Sequence, residues 1–374
     1  MGQQAKAGQL AERCFNIIDS VKGGSGKSSL SLMLALAAQK YMQDSEDPSA
    51  NYSLLMDMDM QGSSLDYLLF GNDASAKAKA TLNDAILKYY TKETPQFISN
   101  PKFYFSDDIG GVPSDGDEVT AGEGAEAYQI AVALASTKID DRNRFRAVSR
   151  MNYSSQITYD AFGSGLKAIL KDANLNSYLS TRPQYVFFDM PPNSNGYSDC
   201  ILELLLSSGD RKASAIASEY PRNYFELMTL DRGHIGATLD WFQQFVEQEQ
   251  YHFPDHFFFV FSNIPKSISE MEYDSDNLQF KDECLRNAIS EVQKRLDDFN
   301  LKEEQRARIR IVGISYQKEY LKRCCGAGTL ASSSAGGLNR GLLFPVKFLM
   351  DLQGKNDEDT KITEKLLRLM CTKD

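Results

Sequence analysis

Short, almost wholly apolar runs recur along this chain, separated by segments whose apolar residues return every three or four positions. Runs of the first kind fit strands buried on both faces, and the second pattern fits helices laid over a sheet. The candidate strands are residues 13–19, 52–58, 102–106, 185–190, 213–219, 256–264 and 307–315. Phe257-Phe258-Phe259-Val260-Phe261 is the extreme case, because it offers no polar side chain to solvent. Helices are predicted at 27–42, 80–91, 158–173, 222–249 and 278–299. The 222–249 segment holds the one tryptophan, Trp241, at a spaced apolar position that reads as core. Alternation of strand and helix predicts an α/β fold: a mostly parallel, doubly wound sheet with helices on both faces. Ligands of such sheets bind at the carboxyl ends of the strands. Ser20-Val21-Lys22, Asp57-Met58-Asp59, Asp189 and Asn263 all fall at predicted strand ends.

One of those ends carries a phosphate-binding pattern. Val21-Lys22-Gly23-Gly24-Ser25-Gly26-Lys27-Ser28-Ser29 follows the first strand and precedes the first helix. Glycines let backbone N–H groups crowd around a polyphosphate, and a helix N-terminus aims partial positive charge at it. In that arrangement Lys27 reaches the β- and γ-phosphates, and the Ser28 hydroxyl ligates Mg²⁺. The usual pattern has glycine where Val21 stands; here a lysine, Lys22, opens the loop instead. A string of this kind arises by chance in roughly one chain of this length in ten thousand.

The loop resembles the deviant phosphate-binding motif of the ParA/MinD family of P-loop ATPases. Two further segments carry the resemblance. Leu54-Leu55-Met56-Asp57-Met58-Asp59-Met60-Gln61-Gly62 is similar to the family's second motif, with Met60 in place of its proline. Tyr185-Val186-Phe187-Phe188-Asp189-Met190-Pro191-Pro192 is similar to its Walker B strand. The resemblance is specific over residues 13–192 and rests on strand order beyond that. It implies a P-loop NTPase fold, ATP and Mg²⁺ as ligands, and ATP hydrolysis. Residues 22–29, namely Lys22, Gly23, Gly24, Ser25, Gly26, Lys27, Ser28 and Ser29, would hold the nucleotide, with Ser28, Asp57 and Asp189 around the metal. By resemblance, Asp59 orients the attacking water, Asp57 supports the Mg²⁺ shell, and Asp189 reaches the ion through a water. Asn263, after the phenylalanine-rich strand, stands where the family has a base-reading asparagine; a turn asparagine is the other reading. Lys22 would cross a two-fold axis to the partner's nucleotide, so that two chains sandwich two ATP molecules. ATP would then control formation of a homodimer, with slow hydrolysis stimulated by a protein partner.

Composition is compatible with a single ATPase domain over residues 1–374, for no internal repeat is visible. Three segments interrupt the alternation besides the acidic turn at 43–51. Residues 107–126 hold seven acidic side chains, no basic one and five glycines, which predicts a mobile loop. The long interval between the second and third motifs predicts a helical insertion near 125–175. Residues 325–341, rich in glycine and serine, read as a flexible linker or lid before C-terminal helices at 342–374. Six cysteines without Cys-x-x-Cys spacing, no spanning apolar run and no secretory signal lead to the expectation of a reduced cytoplasmic protein.

Charge bears on what such a switch would act upon. A net charge of −10 disfavours an overall affinity for DNA but leaves room for local patches. Arg142, Arg144, Arg146 and Arg150 form one; Arg306, Arg308, Arg310, Lys318, Lys322 and Arg323 form the other. Contact through them would be nonspecific and salt-sensitive. A membrane alternative rests on residues 361–370, where Ile362, Leu366 and Leu369 share a helical face flanked by Lys361, Lys365 and Arg368. A terminal helix packing its stripe on the sheet gives the same pattern. The same cradle also serves ligase and metal-cluster enzymes, though Cys200 lacks a partner motif for the latter. His234, His252 and His256 form no catalytic grouping by spacing.

Overall fold

The computed structural model describes residues 13–43, 52–59, 104–105, 109–112, 126–128, 130–133, 183–192, 196–206, 220–248, 251–264, 273–274, 279–280, 283–315, 349–351 and 362–372, with isolated positions between them. The elements in chain order are β1 (Cys14–Asp19), α1 (Lys27–Gln43), β2 (Tyr52–Asp57), β3 (Tyr104–Phe105), β4 (Ile109–Val112), β5 (Glu126–Tyr128), β6 (Ala131–Ala133) and β7 (Pro183–Asp189). They continue with α2 (Gly196–Leu206), β8 (Arg222–Met228), α3 (Arg232–Glu247), β9 (His256–Ile264), β10 (Tyr273–Asp274), β11 (Gln279–Phe280) and α4 (Glu283–Asp298). The last are α5 (Glu303–Ala307), β12 (Ile309–Ser315), β13 (Leu349–Asp351) and α6 (Ile362–Met370).

Nine strands form the main sheet in the order β13-β12-β9-β8-β1-β7-β2-β6-β3. The seven from β12 to β6 are parallel, and β13 and β3 close the edges in antiparallel pairings. β1 lies between β7 and β8, and all six of its residues are buried, as expected of a strand covered on both faces. Side chains alternate between two cores. Phe15, Ile17, Phe188, Tyr224, Phe257 and Phe259 pack under α2, α3 and α4. Ile18, Phe187, Phe225, Phe258 and Val260 pack under α1 and α6. The doubly wound architecture expected from the alternation is therefore the one observed. Each fully buried phenylalanine contributes about 1.5–3 kcal/mol relative to exposure, which favours this layering over any arrangement that bares the 257–261 run.

The 222–249 helix needs correction. Its first turns are β8, and a helix, α3, begins only after Asp231. Tyr224, Phe225, Leu227 and Met228 fit a helical spacing as well as a strand, and polar Asn223 and Glu226 disguise a strand buried on both faces. The boundary signals were Pro221 before the strand and Asp231 as the helix N-cap, its carboxylate accepting the His234 N–H. Trp241 on α3 stacks on Tyr224, in keeping with its core reading.

Other segments also differ. β4 and β5 pair antiparallel, so strands occupy parts of the stretch expected to be a loop at 107–126. Residues 126–128 and 131–133, at the start of the expected helical insertion, are strands, and β6 joins the main sheet. The C-terminal part contributes the edge strand β13 as well as a helix. The expected strand at 213–219, most of the helix at 80–91 and the linker at 325–341 lie outside the described residues.

Candidate nucleotide-binding site

The loop between β1 and α1 turns on Gly24 and Gly26, whose φ angles of +75° and +93° are ones that residues with a Cβ rarely adopt. Helix hydrogen bonding then starts at once, with Leu30 N–H donating to the Gly26 carbonyl at 2.9 Å. The loop rests near Pro192, which follows β7: a Cβ placed on Gly23 would lie 3.7 Å from that proline's Cβ. Lys27 is only 7% exposed, so its ammonium is held within the site.

Asp189 ends β7 beside this loop. Ser28 hydrogen-bonds its carboxylate, and Ser31 Oγ lies 3.2 Å from its Oδ1 and 2.9 Å from the Lys27 carbonyl oxygen. Burial pushes the Asp189 pKa up to about 7; Ser28, Lys27 and Ser31 oppose that rise, and the charge of Asp59 adds to it. Asp57 is the register partner of Asp189 on the neighbouring parallel strand and is fully buried. Its Oδ1 accepts the Asp59 N–H at 3.0 Å, tying both residues of the second motif together. The structure thus brings Lys27, Ser28, Asp57, Asp59 and Asp189 to one edge of the sheet.

Asn263 lies on β9 next to its C-terminal residue, and its side chain falls outside the description. Lys22 is about half exposed, with Nζ 3.8 Å from Oδ1 of Asp231. Three further residues near the loop were missed or dismissed in the sequence. His234 is buried on α3, with Nε2 3.3 Å from Ser20 Oγ and Nδ1 3.2 Å from Thr229 Oγ1. Burial, and then the charge of Lys22, hold its pKa below the usual imidazole value. Asp19 and Glu226 sit in register on β1 and β8, both buried. The available signal for these two was a carboxylate inside an otherwise apolar strand.

Two expected interaction surfaces are altered. Arg306 is ion-paired with Asp297 at 2.6 Å, and Arg310 Nη1 donates to the Ala307 and Ile309 carbonyls. They flank the start of β12, opposite the edge bearing the phosphate loop. The 142–150 arginines and Lys318, Lys322 and Arg323 lie outside the described residues. The terminal helix α6 buries Thr363, Leu366, Leu367 and Met370, and the Leu367 carbonyl accepts the Tyr185 hydroxyl at 3.1 Å. Of the expected stripe, Leu366 is buried against the protein and Leu369 packs on it partly buried. Among the described residues no helix is long and apolar enough to cross a membrane.

A nucleotide with its Mg²⁺ fits this donor set. Two left-handed glycines, a buried lysine and a Ser28–Asp189 pair surround the start of α1. Ser25 Oγ is moreover buried in the loop without a hydrogen-bond partner among the described residues, a cost that a bound oxyanion would relieve.

No protein-family model matches the sequence, and no curated protein matches it at a significant level. Solved structures are similar to it. The structure of pnob8 ParA superposes with a TM-score of 0.50 at 12% identity, covering 96% of this chain and 94% of that one. A ParA family ATPase from Chlorobium tepidum gives 0.45 at 12% identity, over 88% and 96% of the two chains. MinD from Pyrococcus horikoshii, complexed with Mg-ADP, gives 0.43 at 10% identity, over 96% and 94%. The chain thus shares the fold of pnob8 ParA.

Proposed function

We propose that this chain binds and hydrolyses ATP with Mg²⁺ and uses the nucleotide to control its own dimerisation, as a partition or positioning ATPase does. The observation that carries the reading is the Lys27–Ser28–Asp189 cluster at the ends of β1 and β7, set around two left-handed glycines. No such cluster is needed to stabilise the fold, since burial raises the pKa of Asp189 and works against its charged form.

Each residue has a definite task. Lys27 and the loop amides hold the phosphates, Ser25 offers its buried hydroxyl, and Ser28 with Asp189 and Asp57 would hold Mg²⁺. When bound, the ion neutralises charge on the β- and γ-phosphate oxygens. Asp59, fixed through its N–H to Asp57, orients the attacking water. Lys22, half exposed at the loop's start, supplies positive charge to the nucleotide of a second copy. Asn263 at the end of β9 reads the base. A protein partner stimulates the slow intrinsic rate. Nonspecific DNA is the surface we assign to the dimer, through the 142–150 arginines, because Arg306 of the other patch is ion-paired within the chain. The burial of α6 argues against the membrane alternative.

Steady-state phosphate release tests the reading. Wild-type protein should turn over slowly with ATP and Mg²⁺, and Lys27→Ala should abolish release. Equal rates for the two proteins would reject it.

A further inference from the structure

A buried pair of carboxyl groups lies directly beneath the start of the phosphate loop. Asp19, the last residue of β1, and Glu226 on β8 are register partners, 7% and 0% exposed. Asp19 Oδ1 accepts the Ser20 N–H at 2.7 Å, and Oδ2 accepts the Tyr224 hydroxyl at 2.7 Å. Glu226 Oε1 accepts the next amide, Val21 N–H, at 3.0 Å. Lys22 N–H, the following one, lies 3.4 Å from Ser20 Oγ, which itself donates to the Leu227 carbonyl at 2.7 Å. Successive amides are therefore taken up by the protein's own side chains up to the point where the glycines begin.

We propose that Glu226, with Asp19 beside it, is a positioning residue that fixes the start of the phosphate loop and thereby the direction in which Lys22 leaves it. The inference rests on the ATPase reading for its consequence, but not for its geometry.

The pair can be assigned its proton from the hydrogen bonds alone. Asp19 receives two donors and suits a carboxylate. Glu226 receives one, and its Oε2 is buried without a partner among the described residues. A neutral carboxyl with one unpaired oxygen costs far less to bury than a second anion beside the first. Glu226 is thus the protonated member and Asp19 the ionised one. The directions agree: burial raises both, the charge of Asp19 raises Glu226 further, and Lys27 opposes the rise in each. The other groups that act on Asp19 are the Tyr224 hydroxyl and Ser20 N–H, which lower it, and Asp199, which raises it. Lys27 is thus near enough for its positive charge to act on both carboxyl groups.

A neutral Glu226 that works as a hydrogen-bond acceptor can be replaced by glutamine but not by alanine. Hydrogen exchange of the nucleotide-free protein, followed at the Val21 amide, reads this directly. Glu226→Gln should exchange within about threefold of wild type, and Glu226→Ala at least about tenfold faster, once a bond of this strength is lost. In hydrolysis assays Glu226→Ala should lower kcat more than it raises KM, because Lys22 acts in the transition state, while Glu226→Gln should restore kcat. Should Glu226→Ala fail to fold, Glu226→Leu, which fills a similar volume without an acceptor, takes its place beside Glu226→Gln. That variant must speed exchange at the Val21 amide where Glu226→Gln does not. Wild-type exchange in Glu226→Ala, or glutamine as damaging as alanine, would overturn the proposal. A wild-type protein without ATP turnover would reject the ATPase reading and leave the exchange comparison standing.

Discussion

Lys22 and Asp231 face each other across the gap between the phosphate loop and α3, with Nζ 3.8 Å from Oδ1. The same Oδ1 accepts the His234 N–H at 2.9 Å and caps the helix. Both side chains are substantially exposed, so the ion pair itself is worth little, whereas loss of an N-cap costs about 1 kcal/mol. Asp231→Asn, which keeps the acceptor, should therefore melt close to wild type. Asp231→Ala should be destabilised by about 1 kcal/mol in thermal denaturation followed by circular dichroism. Equal losses in both would assign the stability to charge instead.

Asp189 sets a pH dependence. Its pKa in the nucleotide-free chain, about 7, lies above the ordinary carboxylate value, so the fold favours the protonated form. That contribution to stability is complete below the unfolded-state pKa and is lost as pH rises through about 7. Asp189→Asn should accordingly raise the melting temperature relative to wild type at pH 8 and lose that advantage toward pH 4. Binding has the opposite sign, because magnesium requires the carboxylate. Affinity for ATP with Mg²⁺ should fall by about tenfold between pH 8 and pH 6 in wild type, and the dependence should flatten in Asp189→Asn. Calorimetric titration at the two pH values checks both.

The buried face of α6 gives a third expectation. Leu367 is 1% exposed and its carbonyl is tied to Tyr185, so Leu367→Ala should cost about 2–5 kcal/mol. The same substitution should leave retention on anionic liposomes at the background level in both proteins. A helix that left the protein to bind lipid would show the reverse: small stability loss and a clear drop in retention.

Asn16 and Asn223 illustrate why parts of the sheet were hidden. Asn223 Nδ2 donates to Asn16 Oδ1 at 2.8 Å and to the Met370 carbonyl at 2.9 Å, linking two central strands to the end of α6. Asn223→Ala strands both acceptors in the core and should cost about 1–3 kcal/mol in chemical denaturation. Partners 147 and 207 residues away along the chain made that asparagine usable inside β8, and nothing near it in the sequence announces them. The same remoteness of partners makes residues 222–228 read as helix.

Other parts were legible because their signals are local. Gly24 and Gly26 must be glycine for the turn, Ser28 and Lys27 follow at fixed spacing, and the Phe257–Phe261 run admits only a strand covered on both faces. Asp57 and Asp189 were placed correctly because each ends an apolar strand, and the sheet then brings such ends together. Asp19, Glu226 and His234 carried no such mark. Their roles arise only once β1, β8 and α3 are neighbours. The edge strands β3 and β13 and the short β6 are too brief for periodicity to reveal.

On the proposed function, nucleotide drives two copies of this chain together before water cleaves it. Sedimentation velocity of Asp59→Ala, which should bind ATP yet hydrolyse it poorly, tests this most directly. With saturating ATP and Mg²⁺ the variant should sediment as a dimer, and with ADP as a monomer. A monomer under both conditions would mean that nucleotide does not drive dimerisation.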